Sequence, residues 1–256
     1  MEEPFATLYN VPKLIATESM SSWVTRLALS QGISMATILK YLEIPKAEDL
    51  DHLVGKQKIK HISKKSGMPI SDFKGLRTIF KSLTAIDPSG RNFLLFNDKK
   101  SRYRFCPVCL KKDDVPYFRV EWRFNVWRSC PDHGCLLEDE CNNCKQPVTL
   151  PTDMLRGGLK SSGIGTLAMC ASCGQWLTKV RPAYYDFSDE RTLDAEDNLL
   201  IQNGRAFLSA LYFEYFNIDG FKKTYLAKEF VRLHKKNIFP WNSFKWTAKT
   251  WRDEPL

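Results

Sequence analysis

A chain of 256 residues, 43 % hydrophobic, can bury a sizeable interior and is not a wholesale disordered polymer. It contains no apolar run near the roughly 18 residues that span a bilayer, and its start, Met1-Glu2-Glu3-Pro4, lacks the basic and apolar stretches of a secretory signal. A reducing, cytoplasmic setting with no membrane partner is therefore expected; persistent disulfides are rare there, so metal ligation is the first role to test for eight cysteines, and the net charge of +9 is compatible with nucleic acid.

Residues 1–98 hold no cysteine and read as helical. Ser19 or Ser21 can cap a first helix, in which Met20, Trp23, Val24, Leu27 and Ala28 recur at helical spacing. Gly32 ends it, and Ser34 can cap a second helix with Ile38, Leu39 and Leu42 on its apolar face. Two short helices joined by a glycine-containing turn describe a helix-turn-helix. A second pair follows. Ile59 and Ile62 lead to Gly67 and Met68-Pro69, then to a helix from Ser71 carrying Phe73, Leu76, Ile79, Phe80 and Leu83. Between Lys56 and Lys81 there are eight Lys or Arg and one acid, Asp72. Lys64, Lys65, Lys74, Arg77 and Lys81 are the candidate nucleic-acid contacts, because a basic helix after a tight turn suits the major groove. A solvated lysine face on an ordinary helical pair is the competing reading. Pro88-Ser89-Gly90 reads as a turn and Phe93 to Phe96 as a short strand.

All eight cysteines fall between Cys106 and Cys173. Cys106-Pro-Val-Cys109 and Cys130-Pro-Asp-His133 are two tight pairs separated by twenty residues. A two-residue gap lets one turn aim both ligands at a single ion, and two such turns complete a tetrahedron. Between them Phe118, Val120, Trp122, Phe124 and Val126 alternate with Arg119, Glu121, Arg123 and Asn125, which predicts a strand. The second set is Cys141-Asn-Asn-Cys144 and Cys170-Ala-Ser-Cys173, separated by twenty-five residues, with the Gly- and Ser-rich Arg156 to Gly165 read as a loop. Cys135 lies two residues from His133 and can replace it. The repeated two-residue gap favours His133, which leaves Cys135 as a small buried apolar side chain. Four strong donors close each shell, and no HExxH, Walker loop, GxSxG or His-Asn-His pattern is present. Two structural zinc ions and no catalysis are expected.

In the last third, Ala195 to Phe216 reads as a helix with Leu199, Leu200, Phe207, Leu208, Leu211, Tyr212 and Tyr215 on one stripe, and Phe221 to Lys236 as another. From Lys222 to Arg252 there are nine Lys or Arg against one acid, Glu229, interleaved with Trp241, Phe244, Trp246 and Trp251. Such a mixture can stack on nucleic acid, but a small amphipathic bundle with core tryptophans is the simpler reading. The expectation is a mainly helical α+β chain. It would have an N-terminal helix-turn-helix region (1–98), a central double zinc-binding module of ribbon or treble-clef type (99–180), and a basic, aromatic-rich helical region (181–256).

Glu18-Ser-Met-Ser-Ser-Trp-Val-Thr-Arg-Leu-Ala28 resembles the N-terminal signature of the TniQ/TnsD proteins, the target-site selectors of certain transposons. Arg104-Phe-Cys-Pro-Val-Cys-Leu110, Tyr117-Phe-Arg-Val-Glu-Trp122 and Ser129-Cys-Pro-Asp-His-Gly134 are similar to the zinc core of that family, and Cys141-Asn-Asn-Cys144 with Cys170-Ala-Ser-Cys-Gly174 to its second knuckle. The likeness covers roughly residues 14–176; Cys135 departs from it, standing where an apolar residue is expected. The resemblance implies a link between a target recogniser and a TnsC-type AAA+ ATPase that recruits the transposase. Some members bind attachment-site DNA through a long extra C-terminal region. Shorter ones dock on an RNA-guided CRISPR effector, sometimes as homodimers. With about 75 residues after Arg181, the adaptor role is the expectation here, and direct DNA reading the alternative.

Overall fold

Serine side chains start the first two helices. In the computed structural model, which describes residues 8–45, 49–55, 59–160, 163–184, 204–205, 207–218 and 223–226, Ser19 accepts from the Ser22 amide to open α1 (Met20–Ser30). Ser34 accepts from the Thr37 amide to open α2 (Met35–Tyr41). Each satisfies a backbone donor that the helix itself cannot. Gly32, at φ 63°, turns the chain between them. Asp49 caps the short α3 (Leu50–Val54) through the amides of Asp51 and His52. Helix α4 (Ile59–Ser66) ends at Gly67, φ 74°, and Pro69 precedes a 3₁₀ turn, Ile70–Phe73, that runs into α5 (Lys74–Ile86).

Three small antiparallel arrangements follow. Strands β1 (Phe96–Asn97), β2 (Lys100–Tyr103) and, much later, β5 (Val148–Thr149) form a sheet in the order β1-β2-β5, with Phe96 opposite Ser101 and Arg102 opposite Thr149. Helix α6 (Pro107–Lys112) lies next in the chain. Strands β3 (Ser129–Cys130) and β4 (Cys135–Leu136) form a hairpin in which Cys130 faces Cys135. Helix α7 (Met154–Lys160) leads into the last cysteine pair. Beyond it, residues 207–213 are helical, and β6 (Tyr215–Ile218) pairs with β7 (Lys223–Leu226).

The chain is helix-rich with a few short strands, as expected, but five segments differ from the sequence reading. Residues 118–126 do not form a strand: Val120–Arg123 is a 3₁₀ turn. The alternation misleads because its polar members, Arg119, Glu121 and Arg123, are buried as well. The segment after Arg156 is not all loop, since α7 occupies Met154–Lys160. Its glycines serve close approach: a Cβ on Gly158 would lie 2.5 Å from the Gly165 backbone nitrogen, and one on Gly157 3.3 Å from the Ala171 Cα. Tyr215 and Phe216, read as helical, lie in β6, and residues 223–226, read as helical, form β7. The rest of the Phe221 to Lys236 stretch, and Trp241 to Trp251, lie outside the described residues. The strand expected at Phe93 to Phe96 begins only at Phe96.

The N-terminal helices and the cysteine-bearing region share one core, which runs from Met20 to Tyr212. Trp23 meets Phe73 edge to face at 5.4 Å, and Phe118 meets Trp122 at 5.6 Å. The segment entering α1 is bonded along its length to the 3₁₀ segment. The Ser19 amide donates to the Phe118 carbonyl at 2.9 Å, the Val120 amide to the Thr17 carbonyl at 2.7 Å, and the Phe118 amide to the Ser22 hydroxyl at 2.9 Å. Beneath this seam Arg123 is 0 % exposed. Its Nε donates to Asp51 at 3.3 Å, and its two Nη groups donate to Asp49 and to the Leu95 carbonyl. Asp51 also accepts from the Ser21 amide at 3.0 Å, the Ser21 hydroxyl at 3.2 Å and the Tyr103 hydroxyl. Burial and then the neighbouring Asp49 push the Asp51 carboxyl up, while Arg123 pulls it down.

Removing one partner of a buried ion pair leaves the other charge stranded, at a cost of about 3–5 kcal/mol. Asp51→Ala should therefore lose stability of that order in chemical denaturation, and a loss under about 1 kcal/mol would contradict the seam's role. A second test uses pH. Burial, opposed first by Arg26, raises the Glu18 carboxyl from 4.5 to about 7. The folded chain then binds more protons than the unfolded chain between those values, so this group's contribution is full below the lower one and is lost as pH rises through the upper. Glu18→Gln should gain in thermal midpoint relative to the parent between pH 5 and pH 8; a constant offset would contradict the shift.

Candidate metal centres and basic surface

Three of the four ligand pairs are built on the same turn. The residue after the second ligand takes a left-handed backbone, Gly134 at φ 58°, Lys145 at 55° and Gly174 at 75°. Its amide then reaches back to the carbonyl of the first ligand, at 2.9 Å for Gly134 to Cys130 and 2.8 Å for both Lys145 to Cys141 and Gly174 to Cys170. Each turn points both ligands of its pair to one side. The fourth pair is different. Cys106 is the N-cap of α6, with Pro107 at the first helical position and the Cys109 amide donating to the Cys106 sulfur at 3.4 Å. Helix N-termini carry partial positive charge and unpaired amides, which favour thiolates there.

The structure brings Cys106, Cys109, Cys130 and His133 into one cluster, and Cys141, Cys144, Cys170 and Cys173 into another, with donor atoms within 4.8 Å of one another in each. A tetrahedral ion with metal–sulfur bonds of about 2.3 Å needs sulfur–sulfur edges of about 3.8 Å. The observed edges are 3.5 Å for Cys109 to Cys130 and 3.7 Å for both Cys141 to Cys173 and Cys144 to Cys170. His133 Nδ1 lies 3.3, 3.4 and 3.7 Å from the sulfurs of Cys109, Cys130 and Cys106. Both clusters could hold a metal ion, and their donor sets are consistent with zinc. Thiols this close share protons: the thiol of Cys109, then those of Cys130 and Cys135, hold Cys106 far below its usual range. At the second cluster burial opposes ionisation of Cys173, yet the Gln175 amide and the Asn143 side chain bring it down to about 7.

Cys135 is more than a filler. It is fully buried, as expected, but its sulfur lies 3.6 Å from that of Cys106, and the hairpin sets it opposite Cys130. Spacing already puts Cys135 near the first cluster, and the β3–β4 register supplies its contact with Cys106.

The TniQ family model matches residues 10–137, which is half of the chain. The chain belongs to the TniQ family. The matched span takes in α1 to α6, the whole seam and the first cluster, and stops before the second. Comparison with curated proteins gives no match. TniQ membership implies transposition-associated target selection, among partners that are protein, DNA or both. Among the described residues no helix is long and apolar enough to cross a membrane.

The basic residues singled out from the sequence separate into two groups. Lys64, Lys74 and Arg77 are exposed on α4 and α5, the helices flanking the Gly67 turn. Lys65 is half-buried, 3.0 Å from Glu43 and over the Tyr41 ring, and Lys81 faces Glu214 at 3.6 Å. Those two charges are partly neutralised within the chain.

Replacing Cys173 by Ser should reduce bound zinc from two ions to one per chain, by elemental analysis of purified protein. Cys135→Ala should leave two, because Cys106, Cys109, Cys130 and His133 already supply four donors. A drop to one in that variant would make Cys135 the ligand.

Proposed function

We propose that this TniQ protein is a target-selection adaptor without catalytic activity of its own. It joins a target-recognition complex of the RNA-guided kind to a TnsC-type AAA+ ATPase, and so to the transposase. The observation that carries the reading is the family match over residues 10–137, a span that contains the seam and the N-terminal part of the shared core. Two structural zinc ions complete the platform, one held by Cys106, Cys109, Cys130 and His133, the other by Cys141, Cys144, Cys170 and Cys173. Bound there, zinc supplies cross-links worth on the order of 10–16 kcal/mol in small zinc domains. The residues around it do the rest: the knuckle turns fix ligand direction, α6 offers its N-terminal amides, and burial keeps water from the first cluster's thiols. Four protein donors leave no position for substrate water, which supports a structural role.

Direct DNA reading is the second possibility, favoured by the exposed Lys64, Lys74 and Arg77 on either side of the Gly67 turn. Fluorescence anisotropy on random and attachment-site duplexes across a salt series separates the two. An adaptor should bind weakly and without preference. Its log affinity should fall with log salt by about 0.9 per phosphate neutralised. Site-selective binding that survives physiological salt would refute the adaptor reading and make this chain the reader. In that case Arg77→Ala should relax selectivity at one position by about 1–3 kcal/mol.

A further inference from the structure

A groove of about 510 Å³ opens between α2, the β1–β2 turn and the chain that leads from β5 into α7. None of the cluster ligands lines it. Its floor is apolar: Met35 and Leu39 from α2, with Leu150 and Pro151 opposite. Its rim carries Lys99, Lys100 and Arg156, all exposed. Neither lysine has an ion pair among the described residues, while Arg156 lies 3.7 Å from Asp153 and stays 82 % exposed. Asp153 supplies a further constraint. Its Oδ1 is buried and has no hydrogen-bond partner among the described residues. One turn beyond Arg156, Leu159 is 82 % exposed, so apolar surface continues past the rim along α7.

We propose that this groove receives an acidic, apolar-studded peptide segment of the AAA+ ATPase partner, with Lys99, Lys100 and Arg156 gripping its carboxylates. The proposal rests on the adaptor reading and names the surface that reading leaves open. Each feature of the groove selects for such a peptide. The floor rewards burial of apolar side chains, which a sugar-phosphate backbone does not offer. The cationic rim attracts acidic groups and steers their approach. Asp153 also lines the groove, and its carboxylate disfavours a phosphodiester, which has only acceptors, where a peptide can present N–H donors. The size is in the range of recognised binding pockets.

The experiment uses the full chain, zinc-loaded, with the TnsC-type ATPase of the same element. Affinity is measured by biolayer interferometry for the parent, for the triple variant Lys99→Glu/Lys100→Glu/Arg156→Glu, and for Ala36→Trp, which fills the groove from an exposed position of α2. Thermal midpoints unchanged from the parent establish that both variants fold. Both should bind at least about tenfold more weakly. On an array of short overlapping peptides covering the ATPase, the parent should pick out segments that are net acidic and carry apolar residues, and the triple variant should lose them. A parent that fails to bind the ATPase overturns the adaptor reading and the proposal with it. A parent that binds, with both variants equal to it, leaves the adaptor standing and overturns the groove alone. So does selection of neutral or basic peptides. A triple variant that loses duplex DNA affinity but keeps the ATPase assigns the groove to nucleic acid, which also overturns the proposal.

Discussion

The side chain of Arg123 reaches no solvent, and much of the fold follows from how that cation is neutralised. A buried guanidinium is tolerable only when acceptors surround it. Here they come from distant parts of the chain: Asp49 and Asp51 at the start of α3, and the Leu95 carbonyl just before β1. Asp51 in turn draws in Ser21 from α1 and Tyr103 from β2. Satisfying one charge thus fixes the N-terminal helices, the small sheet and the 3₁₀ segment against one another. The family match covers that set of elements, and the first cysteine cluster hangs from the two ends of the same segment.

The clusters extend this logic outward. Their ligands sit on tight left-handed turns and on one helix N-terminus, local devices that need little surrounding core. The second cluster is joined to α1 by α7, whose Met154 backbone packs against Gly165 next to Leu29. Such an arrangement presents several faces: the basic α4–α5 pair, the groove beside α2, and the exposed edge near Leu159.

What could be read from the sequence was local. Ser19 and Ser34 as caps, Gly32 and Gly67 as turns, and the paired ligand spacings each depend on a few neighbouring residues, and each stands as a local feature of the fold. The failures were non-local. Arg119, Glu121 and Arg123 looked like the wet side of a strand because polarity signals solvent only when no buried partner exists; the partners of Arg123, Asp49 and Asp51, lie more than seventy residues away, while Arg119 is held by Asp113 outside the alternating segment. Gly157 and Gly158 looked like loop residues because close backbone approach leaves no trace in sequence other than glycine itself. Cys135, by contrast, is buried as read, and only its nearness to Cys106 is a matter of hairpin register. The groove has no motif at all, since Met35, Lys99 and Arg156 meet only in three dimensions.

The central claim is that the metal clusters and the N-terminal helices form one cooperative unit, joined through the Arg123 seam. Hydrogen exchange on the zinc-loaded and chelated protein tests this most directly, read at the amides of Met20–Ser30, which carry no ligand. The account predicts that removing zinc strips protection from α1 together with residues 105–137. Protection of α1 that persists unchanged after both ions are gone would show two independent units and contradict it.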